Sequence, residues 1–130
     1  MRLSECPVRA TIDVIEGKWK PLVVNALKPG TLRFGQLRRQ VPEATQKVLA
    51  EQLRELEKDQ IITRKVLGQR WERVEYALTP YGRTLVPVLA LMAKWGKKHK
   101  KSGNANNGAE AASLLAPGSL LNAAAKEILL

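Results

Sequence analysis

Cysteine and histidine are almost missing from this chain: there is one of each, Cys6 and His99, in 130 residues. A single cysteine excludes an intrachain disulfide framework and any cysteine-based metal cluster. His99 sits in the basic run Lys97-Lys98-His99-Lys100-Lys101, and it and Cys6 alone are too few ligands for a metal site. The single Phe and two Tyr fall mostly at core-type positions, which argues against a platform for stacking unpaired bases. No apolar run approaches the ~18 residues of a membrane span. Behind Met1-Arg2-Leu3-Ser4-Glu5 there is no apolar signal-peptide core, so the expectation is a cytoplasmic protein with no membrane partner. A glycine-rich phosphate loop is lacking, Gly68 and Gly82 stand alone, and His99 has no nucleophile partner. Neither catalysis nor a cofactor is expected.

Acidic residues are the minority, 12 against 22 Lys and Arg, for a net charge of +10. Polyanions are the natural partners of such a surface, because neutralising phosphates releases condensed counterions. Charge alone does not separate DNA from RNA or an anionic membrane. Hydrophobic residues make up 45% of the chain, enough for one packed domain, and the length is too short for two sizeable cores. The composition shifts at residue 102. Residues 102–119 have linker chemistry, rich in Ser, Gly, Asn and Ala. Residues 102–130 carry −1, so the first 101 carry +11, with 21 basic residues against 10 acidic ones. The expected division is a domain over residues 1–101 and a low-complexity linker over 102–130. Residues 120–130 form either a short amphipathic helix or a frayed terminus.

Pro7 suits the first position of a helix running to about Glu16, with Val8, Thr11, Ile12 and Ile15 on one face. Gly17 breaks it. A second helix covers about residues 18–28, with Pro21 tolerated in its first turn, and Pro29-Gly30 ends it. Thr31-Leu32-Arg33 is extended. Phe34 to Val41 is a brief helix, Pro42-Glu43-Ala44 a turn, and Thr45 an N-cap. The helix behind Thr45 runs to about Asp59 with Leu49, Leu53 and Leu56 on one face and Lys47, Ala50, Glu51, Arg54 and Lys58 on the other. Strand-like runs follow at Ile61 to Leu67 and Val74 to Leu78, around a basic hairpin tip, Gly68-Gln69-Arg70-Trp71-Glu72-Arg73. Thr79-Pro80 starts a last helix reaching about Lys98, which Pro87 should bend.

A short helix, a turn, a capped helix and a basic hairpin, in that order, make a winged helix-turn-helix: mainly α with a small β-hairpin, an α+β class. A helix fits the major groove and presents its N-terminal side chains to base edges. Thr45, Gln46 and Lys47 stand at the start of the capped helix, and Glu51 and Arg54 follow one and two turns on. These are the base-reading candidates, although an ordinary amphipathic helix has the same two faces. Glu51 either accepts from a cytosine amine or repels phosphates. Arg33, Arg38 and Arg39 suit phosphate contacts that fix register, and Arg70 and Arg73 suit the adjacent minor groove or its backbone. Solubilising surface charge reads the same way. Trp71 either packs on the domain or reaches the nucleic acid.

Cys6-Pro7-Val8, Gly17-Lys18-Trp19-Lys20-Pro21-Leu22, Leu32-Arg33-Phe34 with Leu37-Arg38-Arg39, Gln46-Lys47-Val48-Leu49 with Gln52-Leu53-Arg54-Glu55-Leu56-Glu57, and Val74-Glu75-Tyr76-Ala77-Leu78-Thr79 with Gly82 together resemble the signature of HxlR-type transcriptional regulators. The resemblance runs from about Cys6 to Gly96. It implies a homodimer held by the first and last helices, with two recognition helices facing a pseudo-palindromic site on double-stranded DNA; the expectation is a repressor, although a dimer on its operator either blocks or aids polymerase. Prolines frequent before the second strand of such proteins are absent here, and Ala50 and Glu51 replace polar, uncharged residues. Some regulators of this type sense oxidants or electrophiles at a cysteine near the N-terminus. Arg2, Arg9 and the helix start at Pro7 are surroundings that favour a thiolate at Cys6; the other reading is a small, inert interface residue. Other classes stay open: a non-specific DNA- or RNA-binding winged helix, or a protein-interaction scaffold. Salt dependence separates phosphate binding from the last.

Overall fold

The computed structural model of the chain describes residues 2–68 and 73–101. The tail at 120–130, read as either a short helix or a frayed terminus, and Arg70 and Trp71 at the hairpin tip, lie outside the described residues. Contacts divide the chain into two units, one ending at Arg83 and one beginning at Thr84.

The first unit opens with a 3-10 turn, Leu3–Glu5, then α1 (Pro7–Ile15) with proline in its first turn. Gly17, at φ +103°, takes the left-handed conformation that ends α1 at no steric cost. Next come α2 (Lys20–Leu27), β1 (Leu32–Arg33), α3 (Phe34–Gln40), α4 (Gln46–Lys58), β2 (Ile62–Leu67), β3 (Arg73–Leu78) and α5 (Pro80–Arg83). Val23, Val24, Ala26 and Leu27 of α2 are buried with Leu37, Val41 and Ala44, the α4 leucines, Ile61 just before β2, and Ile62, Tyr76 and Leu78 of the sheet. Together these apolar side chains from α2, α3, the turn after it, α4 and the sheet make the core of the unit.

The sheet has three strands in the order β1-β3-β2, all antiparallel. The extended Thr31–Arg33 piece therefore does more than connect helices: Leu32 pairs with Tyr76 and Arg33 with Glu75. Ile62, Arg64 and Val66 face Leu78, Tyr76 and Val74 across the β2–β3 pair, and Thr63, Lys65 and Leu67 face Ala77, Glu75 and Arg73. Strand alternation puts the first set on one side and the second on the other.

At the foot of the hairpin the chain is tightly tied. Thr79 N donates to the Ile61 carbonyl at 3.0 Å. Thr79 Oγ accepts the Gly82 N–H at 2.7 Å and donates towards the carbonyls of Gln60 (2.7 Å) and Ile61 (3.1 Å). A Cβ on Gly82 would lie 2.0 Å from the Ile61 carbonyl oxygen, so no side chain fits there.

The expected single last helix is split. It begins as α5 and restarts as α6 (Leu85–Lys101). Pro87 has no N–H to give the carbonyl of Arg83, four residues earlier, and its ring would clash with it, so the ladder breaks there. Within the second unit, α6 has no fully buried residue; Met92 and Trp95 are exposed. The Trp95 ring stacks on His99, centroids 5.1 Å apart. No helix among the described residues is long and apolar enough to cross a membrane.

The end of α4 gives a test. Ile61 N bonds Leu56 O at 2.9 Å and Gln60 N bonds Glu57 O at 3.0 Å, the paired closure of a Schellman motif. It requires positive φ at Gln60, which has φ +63°. Left-handed backbone costs a side-chain-bearing residue about 1–2 kcal/mol. Gln60→Gly is expected to raise unfolding free energy by roughly 0.5–1 kcal/mol after the entropy cost of glycine, read from urea denaturation.

Candidate nucleic-acid interface

The helix-turn-helix is assembled by burial at its corner. Leu37, Val41, Ala44 and Leu49 are each at most 4% exposed, so the turn between α3 and α4 is held from within. Thr45, in extended conformation, caps α4: its Oγ accepts the Val48 N–H at 3.1 Å. The N–H groups of Gln46 and Lys47 then have no partner inside the helix and favour an anion in front of it.

Leu49, Leu53 and Leu56 take the inner side of α4, which forces Lys47, Arg54 and Lys58 outwards. Gln46, Lys47 and Arg54 are exposed; Ala50 and Glu51 are half-buried. On α3, the Arg33 N–H donates to Gln36 Oε1 at 2.9 Å and caps the helix. Arg38 and Arg39 are exposed and, with Gly35 and Pro42, line a shallow depression. Two guanidinium groups beside a glycine suit a phosphate oxygen.

The hairpin adds cations that reading the sequence passed over. Arg64 and Lys65 of β2 are exposed along with Arg73 of β3. The run Ile61 to Leu67 reads as a plain strand, and only the three consecutive polar residues Thr63, Arg64 and Lys65 hinted at more than alternation. Register aligns Arg33, Glu75 and Lys65 across the three strands. An acid between two bases favours this register, since opposite charges on facing strands attract.

Glu51 lies on the border of a second depression, lined by Asp13, Glu16, Gly17, Lys18, Trp19, Lys20, Val48, Gln52, Glu55, Lys58 and Asp59. Its carboxylate thus stands beside the α1–α2 joint as well as next to the Lys47–Arg54 arc. Among the described residues no group of three or more His, Cys, Asp or Glu is placed to hold a metal ion. Inside this depression Lys20 Nζ pairs with Glu55 Oε2 at 2.7 Å.

Cys6 is half-buried and free. It is the residue before α1; its carbonyl accepts the Ala10 N–H at 3.1 Å. Arg9 forms an ion pair with Asp13 at 2.9 Å, one helical turn along α1. Its guanidinium is therefore engaged along the helix, away from the thiol end.

Comparison with known proteins gives a consistent result. The family model described as HxlR-like helix-turn-helix matches residues 14–104. The uncharacterised HTH-type transcriptional regulator YdeP of Bacillus subtilis (strain 168) is 48% identical over 95 residues, 73% of this chain and 74% of YdeP. Among solved structures, the redox regulator HypR in its reduced form superposes with a TM-score of 0.69 at 45% identity, covering 73% of this chain and 94% of HypR. Diamide-treated YodB from B. subtilis superposes with a TM-score of 0.62 at 33% identity, covering 72% of this chain and 93% of YodB. The winged helix-turn-helix and the DNA-binding regulator class read from the sequence are both borne out.

The hairpin cations can be measured individually. Lys65→Ala is expected to weaken binding to duplex DNA about equally for all sequences, and to reduce the slope of log K against log salt by about 0.9, measured by fluorescence anisotropy between about 50 and 200 mM salt.

Proposed function

Because the chain belongs to the HxlR-like helix-turn-helix family, we propose that it is a sequence-specific transcriptional regulator. It works in the cytoplasm as a homodimer that occupies a pseudo-palindromic operator and represses transcription. The observation that carries this reading is the Thr45-capped helix, seated by three buried leucines, with Gln46, Lys47 and Arg54 turned outwards.

In this reading α4 enters the major groove and Thr45, Gln46, Lys47, Glu51 and Arg54 meet or flank base edges. Arg33, Arg38 and Arg39 hold the backbone before and beside it, and Arg70 and Arg73 hold it at the wing, now joined by Arg64 and Lys65. Dimerisation through the first and last helices is supported by the apolar side chains each unit leaves exposed. In the first unit they include Leu3, Val8 and Ile12 at and before α1, with Leu22, Val66 and Tyr81 elsewhere; in the second they are Met92 and Trp95 of α6. Two half-sites then fall about one helical turn of DNA apart.

Cys6 serves as the redox switch. Oxidation joins the Cys6 thiols of two chains, releasing two protons and giving two electrons to the oxidant. The bond needs Cα atoms within about 7 Å, so it fixes the spacing of the two α1 helices and, through them, of the recognition helices. The similarity to a protein described as a redox regulator, and to one solved after diamide treatment, supports this role.

Selection from sheared genomic DNA should enrich a palindromic motif with half-sites near one helical turn apart; recovery without a motif would point to a non-specific binder. On the enriched duplex, Lys47→Ala and Arg54→Ala should each cost roughly 1–3 kcal/mol. If neither changed affinity, the wrong face has been assigned. Diamide should change the affinity of the parent protein for that duplex and leave Cys6→Ser unmoved; equal responses would remove Cys6 from the mechanism.

A further inference from the structure

Lys20 is the one charged side chain in the buried class among the described residues. Its side chain is 7% exposed, and its ammonium meets Glu55 Oε2 at 2.7 Å, while Glu55 itself is 56% exposed. The place is chemically unfavourable twice over. An ammonium taken from water loses hydration that a close anion must replace. Lys20 is also the first residue of α2, where the positive end of the helix dipole repels a cation. A lysine held there makes Glu55, in the third turn of α4, its necessary counter-ion.

The surrounding joint is close. The linker from α1 to α2 runs over α4, and a Cβ on Gly17 would be 4.0 Å from Gln52 Oε1. On the opposite side α4 is held by Leu49, Leu53 and Leu56. Apolar burial is non-directional and tolerates a small roll of the helix about its axis. A short charged hydrogen bond does not. Glu55 follows Arg54 directly, so whatever fixes the azimuth of one fixes that of the other.

We propose that Lys20 is a positioning residue for sequence reading: its ion pair with Glu55 sets the roll of α4 and thereby which part of the Lys47–Arg54 arc meets the bases. This rests on the site-specific DNA reading proposed above. Lys20 touches no DNA in this scheme; it acts through Glu55.

The test uses the full chain, the duplex that the parent protein enriches from random DNA, and a scrambled duplex of equal length. Lys20→Met keeps the buried stem and removes a positive charge. Glu55→Gln keeps the shape and removes a negative one. If charge alone mattered, the first would weaken and the second strengthen binding to both duplexes. Positioning predicts that both lose about tenfold on the enriched duplex, the scale of one base contact, while the scrambled duplex follows charge. The double variant should be no worse than the weaker single, because the pair is already broken. Glu55→Asp, one methylene shorter with the charge kept, should also lose discrimination. Should Lys20→Met fail to fold, the two variants at the exposed Glu55 decide alone. Retained discrimination in Glu55→Gln and Glu55→Asp, or opposite shifts of the two charge variants on the enriched duplex, overturns the inference. Were no duplex enriched by the parent, the proposed function would fall and this inference with it, an outcome distinct from enrichment with unaltered variants.

Discussion

Three leucines on one side of one helix set the terms for the rest of the molecule. Leu49, Leu53 and Leu56 are at most 1% exposed, and each such burial contributes about 1.5–3 kcal/mol. Because side chains recur every 3.6 residues, burying that stripe leaves Lys47, Arg54 and Lys58 no choice but solvent. Everything else in the first unit serves to cover the leucines: α2 with its four buried apolar residues, the corner residues Leu37, Val41 and Ala44, and the inner side of the sheet. The surface proposed to face DNA is the remainder of that packing.

A hydrophobic stripe fixes which side of α4 is hidden, but only loosely its depth and roll. Directional contacts take over at both ends. Thr45 sets the first turn through Val48, Lys20 grips the third through Glu55, and the Gln60 and Ile61 N–H groups close the last. The hairpin is set by the same division of labour. Burial of Ile62, Tyr76 and Leu78 chooses the face; the opposed charges of Arg33, Glu75 and Lys65 suit the register.

Helix α4 was legible because its signals are local: a threonine cap, a leucine period and a polar opposite face all lie within fourteen residues. The split of the last helix was legible in kind, since Pro87 announced a defect; the break falls at Thr84 because the proline acts on the carbonyl four residues before it. Other features were hidden for physical reasons. Gln60 adopts a conformation usually given to glycine, so nothing in its identity marks a helix closure. Lys20 looks like any helix-opening lysine until the joint at Gly17 lays it against α4, a tertiary event without a sequence period. Arg64 and Lys65 were obscured by the apolar ends of their strand, and β1 is too short to read as a strand without its partner, β3. The Arg9–Asp13 pair follows the i,i+4 spacing of any helix, yet reading Arg9 as a neighbour of the Cys6 thiol passed over it.

The foot of the hairpin has a consequence for descent. Where the Ile61 carbonyl occupies the space of a Cβ at residue 82, inheritance has one option, glycine, and any lineage that departs from it must rebuild the turn. Thr63, Arg64 and Lys65, exposed a few residues away, carry no such veto. Duplicated copies of a gene like this one can therefore drift apart in what their wings touch while keeping the same hinge. One scaffold can thus persist through many descendants while the strand beside its fixed turn varies.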